Sequence, residues 1–255
     1  MTMPLANGLP TTRKFDLIQN QPVESTTKPH DCHSCDVIGG CLAEEMMTFQ
    51  GQVTQVRQNN RIYKPSEHIF REGEESTGLY IIKSGSVKLY LTTEDGEEQV
   101  LGFYMRGDVV GLDGQEGLPR NTSAISLETT SICKLPLNQL SDRGRGRGYP
   151  KLIAEQMSRD HNLVLILARK DADGRLASFL CDLSRRFEKN GYSATAFNLS
   201  MSRQDIGSYL GLAIETVSRT LTRFQDGGLL QASRRKLEIL NAHSLKQLAG
   251  SQVSN

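Results

Sequence analysis

Met201-Ser-Arg-Gln-Asp-Ile-Gly-Ser-Tyr-Leu-Gly211 and, directly after it, Leu212-Ala-Ile-Glu-Thr-Val-Ser-Arg-Thr-Leu-Thr-Arg-Phe224 decide how this chain is read. The first run predicts a short helix with Ser202 as its N-cap and Asp205 at the third position, close to a capping box. Gly207 allows close helix packing, and Gly211 makes a tight turn into the second helix. Ile206, Leu210, Val217 and Leu221 are the expected core contacts. Glu215, Thr216, Ser218, Arg219, Thr222 and Arg223 are left facing out. Two helices joined in this way can seat the second in a DNA major groove. There Arg219 can make two bonds to guanine O6 and N7, Glu215 can accept from cytosine N4, and Ser218 can reach either base. Glu215 and Arg219 also satisfy the spacing of an ordinary i,i+4 surface ion pair. The glycines, and the wing that follows, favour the DNA reading.

That wing is Gly227 to Leu240, two short predicted strands around a basic turn at Arg234, Arg235 and Lys236 that would touch phosphates. Upstream, Arg175 to Lys189 and Pro150 to Lys170 read as helices. In the latter, Ile153, Met157, Asp160, Val164 and Leu167 follow the 4-3-4-3 spacing of a coiled-coil seam. The same residues suit a globular helix whose stripe is slightly shifted, leaving Asp160 on its edge. On the seam reading, two copies of Asp160 face each other in a homodimer and repel by about 2–4 kcal/mol at an effective dielectric near 20. Arg143-Gly-Arg-Gly-Arg-Gly148 cannot pack and reads as a solvated connector.

From Ile62 to Pro136 the pattern is short β-forming runs broken by turns, among them Gly78–Gly85, Ser86–Leu91 and Gln99–Tyr104, with Asp95-Gly96 as the clearest hairpin turn. This predicts an antiparallel sandwich or barrel. Residues 1–31 are polar and aperiodic, with four prolines, and read as a tail. Residues 1–150 carry 15 Lys/Arg against 19 Asp/Glu, and residues 151–255 carry 15 against 10. The basic half is therefore the one with the DNA-reading motif. No secretory signal follows Arg13 and Lys14, and the longest apolar patch, Leu163–Ala168, is far too short to span a membrane. The expected location is the cytoplasm.

In that reducing compartment an odd count of five cysteines argues for metal ligands rather than disulfides. Cys32-x2-Cys35-x5-Cys41 lets one loop wrap three corners of a metal centre, and Cys133 stands about 90 residues further on. Four thiolates suit a [4Fe-4S] cube. Cys-x2-Cys equally suits structural zinc, with His33 as a possible substitute ligand. Cys133 alternates with Ile125, Leu127 and Leu135, so taken alone it reads as a packed core thiol, as does Cys181.

With these residues in view, the chain resembles the CRP/FNR superfamily of bacterial regulators, and within it the oxygen-responsive FNR branch. The resemblance spans Cys32 to Gly250. It is carried by the cysteine spacing, Gly107-Asp-Val-Val-Gly-Leu112, Leu183-Ser-Arg-Arg-Phe187, Asp205-Ile-Gly-Ser-Tyr-Leu-Gly-Leu212 and Glu215-Thr-Val-Ser-Arg219. It implies an α+β fold with an N-terminal antiparallel, cupin-like β-roll, a long dimerisation helix and a C-terminal winged helix-turn-helix. The expected divisions are 1–31, 32–148, 149–172 and 173–255. The resemblance further implies that Cys32, Cys35, Cys41 and Cys133 ligate an oxygen-labile [4Fe-4S] cluster. By the same resemblance, Glu215, Ser218 and Arg219 read TTGAT half-sites, Asp160 keeps the cluster-free protein monomeric, and surface loops contact RNA polymerase. The implied function is a homodimeric regulator of anaerobic genes that releases DNA when oxygen disassembles the cluster. Asp36 after Cys35, where a small neutral residue is frequent in the family, and Gly40 before Cys41 predict an altered oxygen sensitivity.

Two alternatives fare worse. A cyclic-nucleotide regulator would resemble its relatives in a Gly-Glu…Arg-Ser-Ala phosphate pocket, whereas here the region reads Gly111-Leu-Asp-Gly114…Asn121-Thr-Ser-Ala124. An enzyme would need clustered ligands or a nucleophile motif, and the five histidines are scattered.

Overall fold

The computed structural model describes residues 48–49, 52–53, 59–114, 116–137 and 148–250. The expected tail, Cys32, Cys35, Cys41 and the Arg-Gly run up to Arg147 lie outside the described residues. A small hairpin of β1 (Thr48–Phe49) and β2 (Gln52–Val53) precedes β3 (Asn59–Tyr63), β4 (His68–Phe70), β5 (Gly78–Ser84), β6 (Ser86–Thr92), β7 (Glu98–Met105), β8 (Val109–Val110), β9 (Ser123–Ser126) and β10 (Thr130–Pro136). These last eight form two antiparallel sheets, in the orders β3-β10-β5-β8 and β4-β9-β6-β7. Strand alternation divides their side chains. Tyr80 and Ile82 of β5 and Ile132 of β10 meet Val87, Leu89 and Ala124 of the other sheet, making the core of the β-domain. Leu79, Ile81, Cys133 and Leu135 form a separate cluster on the opposite face.

Two turns explain how the chain makes this sandwich. Gly96, at φ 84°, donates its N–H to the Thr93 carbonyl at 2.9 Å, closing the β6–β7 hairpin at the predicted Asp95-Gly96. Gly85 carries the chain from one sheet to the other between β5 and β6. Its φ is +84°, and a Cβ there would lie 2.6 Å from the Thr129 carbonyl oxygen and 2.5 Å from Thr130 Oγ1. Only glycine fits both demands.

The C-terminal half runs α1 (Gly148–Leu167), α2 (Ala172–Lys189), β11 (Ala196–Asn198), α3 (Arg203–Leu210), α4 (Ile214–Asp226), β12 (Leu230–Ser233), β13 (Lys236–Ile239) and α5 (Ala242–Leu248), with a sheet in the order β11-β13-β12. α1 stops three residues before the predicted Lys170, and α2 begins three before the predicted Arg175. The reason is local: Asp171 caps α2 by accepting the Gly174 N–H at 2.6 Å, which separates the two helices. One continuous core joins Val100, Phe103 and Met105 of β7 to α2 and to the α3–α4 pair. Cys181 packs at its edge, as expected of a core thiol.

Gly85→Ala is expected to destabilise the fold by about 2–4 kcal/mol, through left-handed strain and overpacking together. Urea unfolding of the two proteins checks this, with Gly96→Ala, whose added Cβ meets nothing within 4 Å, as the milder control.

Candidate nucleic-acid interface and the helix behind it

α3 and α4 are built as their sequence demands. Ser202 Oγ accepts the Asp205 N–H at 3.0 Å while Asp205 Oδ2 accepts the Ser202 N–H at 2.9 Å, completing the capping box. Gly211 caps α3 in the left-handed region at φ 62°. A Cβ on Gly207 would fall 2.6 Å from the Leu212 carbonyl oxygen, so this glycine lets the turn fold back against α3. Ile206, Leu210, Val217 and Leu221 are buried, as predicted. The outward face of α4 carries Glu215, Ser218, Arg219 and Thr222, all exposed. Among the described residues, the side chains of Glu215, Ser218 and Arg219 have no ion-pair or hydrogen-bond partner, so the i,i+4 surface pair is not formed. Arg223 is exposed as expected, and its guanidinium also pairs with Asp173 of α2 and donates to Thr220 Oγ1 at 2.9 Å.

The wing turn puts Arg234, Arg235 and Lys236 in solvent. It is anchored by the Leu199 N–H donating to the Arg235 carbonyl at 2.6 Å. Sequence reading missed Arg203, on the first turn of α3. It is half-buried, burial lowers its pKa, and it has no acidic partner among the described residues. With Lys88, Ser126, Arg234 and Arg235 it lines a cleft of about 410 Å³ between the β-domain and the C-terminal domain. No periodic signal marks such a residue.

The two domains are locked by contacts that join distant parts of the chain. Lys88 Nζ on β6 lies 2.6 Å from Glu98 Oε2 and 2.9 Å from Asp205 Oδ1. Ser86 Oγ donates to Ser200 Oγ at 2.6 Å, and Ser208 Oγ accepts the Val100 N–H at 2.9 Å. Phe103, Phe179 and Tyr209 stack as a tilted triad with ring centroids 5.2–5.9 Å apart. Burial alone would lower the Lys88 pKa, but its bonds to Asp205 and Glu98 hold it above the ordinary lysine value. Burial would likewise raise Asp205, yet Lys88 and the Ser202 donors hold it below the usual carboxylate range.

Behind this interface, Cys133 is 6 % exposed and clusters with Leu79, Ile81, Val109, Leu135, Leu137 and Leu152, the last from the start of α1. Ile125 and Leu127, expected to share its face, belong instead to the other sheet and to the C-terminal core, because β9 pairs with β4 and β6 rather than with β10. Cys133 is the one predicted ligand among the described residues, and those residues contain no group of three or more His, Cys, Asp or Glu placed to hold a metal. α1 itself has two faces. Leu152 and Ile166 are buried, whereas Met157 and Val164 are 52 % and 63 % exposed and Asp160 and Leu167 lie out with them. Ile153, at the start of the predicted seam, is half-buried. Asp160 Oδ1 accepts from Gln156 Nε2 at 2.8 Å, and Gln156 Oε1 accepts from the buried Tyr104 hydroxyl at 3.3 Å. Burial pushes that hydroxyl up to about 12.

The interior beside Gly111 and Gly114 is filled by Arg120, another residue sequence reading passed over. Its guanidinium is 1 % exposed, sits 4.1 Å from the Phe70 ring centroid and donates to the Gly78 carbonyl at 2.7 Å. A Cβ on Gly114 would fall 1.9 Å from Ser76 Oγ and 2.9 Å from Arg120 Nη1.

Comparison with known proteins agrees with this layout. Residues 60–143 match the cyclic nucleotide-binding domain family, and residues 174–248 match the Crp-like helix-turn-helix domain family. The transcriptional activator protein Anr of Pseudomonas aeruginosa is 37% identical over 228 residues, 87% of this chain and 93% of that protein. The fumarate and nitrate reduction regulatory protein of Escherichia coli is 35% identical over 225 residues, 86% of this chain and 90% of that protein. Among solved structures, FixK2 from Bradyrhizobium japonicum superposes with a TM-score of 0.66 at 31% identity, covering 75% of this chain and 96% of its own. No helix among the described residues is long and apolar enough to cross a membrane.

Asp205→Asn should loosen the domain junction by about 1–3 kcal/mol at neutral pH, the worth of bonds to a charged group. Because the folded carboxyl titrates below its unfolded value near 3.9, this difference is full above about pH 4 and shrinks as pH falls through the folded pKa. Thermal midpoints of both proteins between pH 3 and 7 check the convergence.

Proposed function

Because this chain belongs to the CRP/FNR superfamily of transcription regulators, in its FNR branch, we propose that it is a cytoplasmic, oxygen-responsive, homodimeric regulator of anaerobic gene expression. The observation that carries the reading is the single apolar cluster that Cys133 shares with Leu152, which puts one candidate ligand near the first turns of the pairing helix. Cys32, Cys35, Cys41 and Cys133 would hold a [4Fe-4S] cluster, which when bound supplies an oxygen-labile tie between the N-terminal segment and β10. The apolar, buried setting of Cys133 suits that role, since a hydrophobic shell controls solvent access to a metal centre. We assign 32–148 to the sensor domain, 149–172 to dimerisation and 173–255 to DNA binding, with 1–31 as a tail.

In the dimer, Ile153, Met157, Val164 and Leu167 of one protomer pack on those of its partner, and the two Asp160 carboxylates oppose that pairing. Without the N-terminal tie, Leu152 and its neighbours alone hold the start of α1, and the Asp160 repulsion favours monomers that bind DNA poorly. The paired α4 helices present Glu215, Ser218 and Arg219 to successive major grooves of a TTGAT-type palindrome, with Arg234, Arg235 and Lys236 on phosphates. Surface loops of both domains then meet RNA polymerase, activating or repressing according to where the site lies.

Anaerobically purified protein is expected to be brown, with about four irons and four sulfides per chain, and to bleach in air. Colourless protein carrying one zinc would overturn the sensor assignment. Asp160→Ala should dimerise and bind DNA in air, as read by sedimentation, and a monomer at micromolar concentration would contradict the seam. Arg219→Ala should lose about 1–3 kcal/mol of discrimination for the palindrome over a scrambled duplex. Arg235→Ala should weaken both duplexes alike and flatten the salt dependence.

A further inference from the structure

A single turn of the β-domain holds both helices on which the C-terminal half depends. Asp108 lies between β7 and β8, with its carboxylate largely buried. Oδ2 accepts the Met105 N–H at 2.8 Å and Arg186 Nη2, from α2, at 2.7 Å. Oδ1 is ion-paired with Arg159 of α1. The same Arg186 Nη2 donates to the Phe103 carbonyl at 2.8 Å, and the Arg159 guanidinium sits 5.6 Å from the Tyr104 ring centroid. The turn itself cannot drift, because the Gly107 N–H donates to the Ile82 carbonyl at 2.8 Å and the Ile82 N–H to the Asp108 carbonyl at 3.0 Å. Burial alone would raise the Asp108 carboxyl, yet the Arg186 and Arg159 charges hold it below the usual range.

The turn is also in register with β10, two strands away in the same sheet. Cys133 on β10 pairs with Ile81 on β5, and Ile81 pairs with Val109 on β8, the residue after Asp108. Two hydrogen-bonded steps therefore connect the strand position of Cys133 to the residue beside the carboxylate. On the far side, Arg159 immediately precedes Asp160, and α2 packs beneath α4.

We propose that Asp108 is the positioning residue through which the β-domain sets the pairing helix and the DNA-reading helix together, by sharing one carboxylate between Arg159 and Arg186. The proposal rests on the α1-paired, DNA-binding dimer described above and not on the cluster. One carboxylate thus serves two separate anchors, and removing Asp108 releases both at once, leaving Arg159 without its ion-pair partner and Arg186 with only Asp182 at 3.9 Å among the described residues. Arg159 anchors the register of α1 next to Asp160, and Arg186 anchors the platform that carries α4.

The test uses full-length, anaerobically purified protein. The dimer dissociation constant is measured by sedimentation equilibrium, and affinity for a duplex carrying two inverted TTGAT half-sites by fluorescence anisotropy. Arg186→Met should weaken DNA binding by about tenfold or more at concentrations where the protein is still dimeric. Arg159→Met should weaken dimerisation to a similar degree while the affinity of the assembled dimer stays within about threefold of wild type. Asp108→Asn should do both, and Asp108→Glu should restore part of each. Should Asp108→Asn fail to fold, the two arginine variants carry the test, since each leaves the carboxylate with one partner. Variants that lower only the thermal midpoint, with both constants within about twofold of wild type, would make Asp108 merely structural and overturn the proposal. So would equal losses of both constants in the two arginine variants. A wild type that never dimerises overturns the dimer reading itself, and is seen before any variant is measured.

Discussion

Everything C-terminal to the β-domain hangs on α1 being buried along one side only. Twenty residues of α-helix run about 30 Å, long enough to need two supports. Leu152 and Ile166 supply the inward ones, in two different apolar clusters. The outward side keeps Met157, Val164 and Leu167 in solvent. A helix supported on one side only leaves its other side open to a further contact, and how firmly Leu152 and Ile166 hold it decides where that open side lies.

The domain junction sets how far such a change can travel. β7 contributes Val100, Phe103 and Met105 to the same core as α2 and the α3–α4 pair, so the reader packs directly on the β-domain. Close-packed interiors shift between discrete arrangements rather than bending smoothly. The polar bonds at the junction add direction to that packing, Lys88 to Asp205 by fixing α3 against β6 and Ser86 to Ser200 by fixing the segment that leads into α3. Asp205 serves twice, as cap of α3 and as partner of Lys88, which ties the start of α3 to its docking site.

What the sequence announces is what is local. The capping box, Gly211, the Asp95-Gly96 hairpin and the buried positions Ile206, Leu210, Val217 and Leu221 all stand within a few residues of their partners, and each is where its pattern puts it. The membership of the Cys133 face is not local. Ile125 and Leu127 alternate correctly with it in sequence but fall elsewhere once β9 joins the other sheet. Arg120, Arg203 and Lys88 left no signal, because a buried or half-buried cation is recognisable only by partners or surroundings far away in the chain. Lys88 and Asp205 are separated by 117 residues and Asp108 and Arg186 by 78. Arg223 adds a surface case: it faces out as its place on α4 predicts, while its partner Asp173 stands 50 residues away.

The β-domain belongs to a family named for cyclic nucleotides, yet Arg120 occupies the space beside Gly111 and Gly114 and meets aromatic rings on two sides. A guanidinium held by Phe70, Tyr80 and the Gly78 carbonyl keeps that interior closed by the chain's own side chain. The other face of the same sheet carries Cys133 and Leu135, in one apolar cluster with Leu152 from the start of α1. Alternation makes the two faces independent in chemistry but not in mechanics, since Ile132, Cys133 and their β5 partners share one hydrogen-bonded register. That register runs from β10 through β5 to β8, and beside β8 lies the turn whose Asp108 holds Arg159 of α1 and Arg186 of α2.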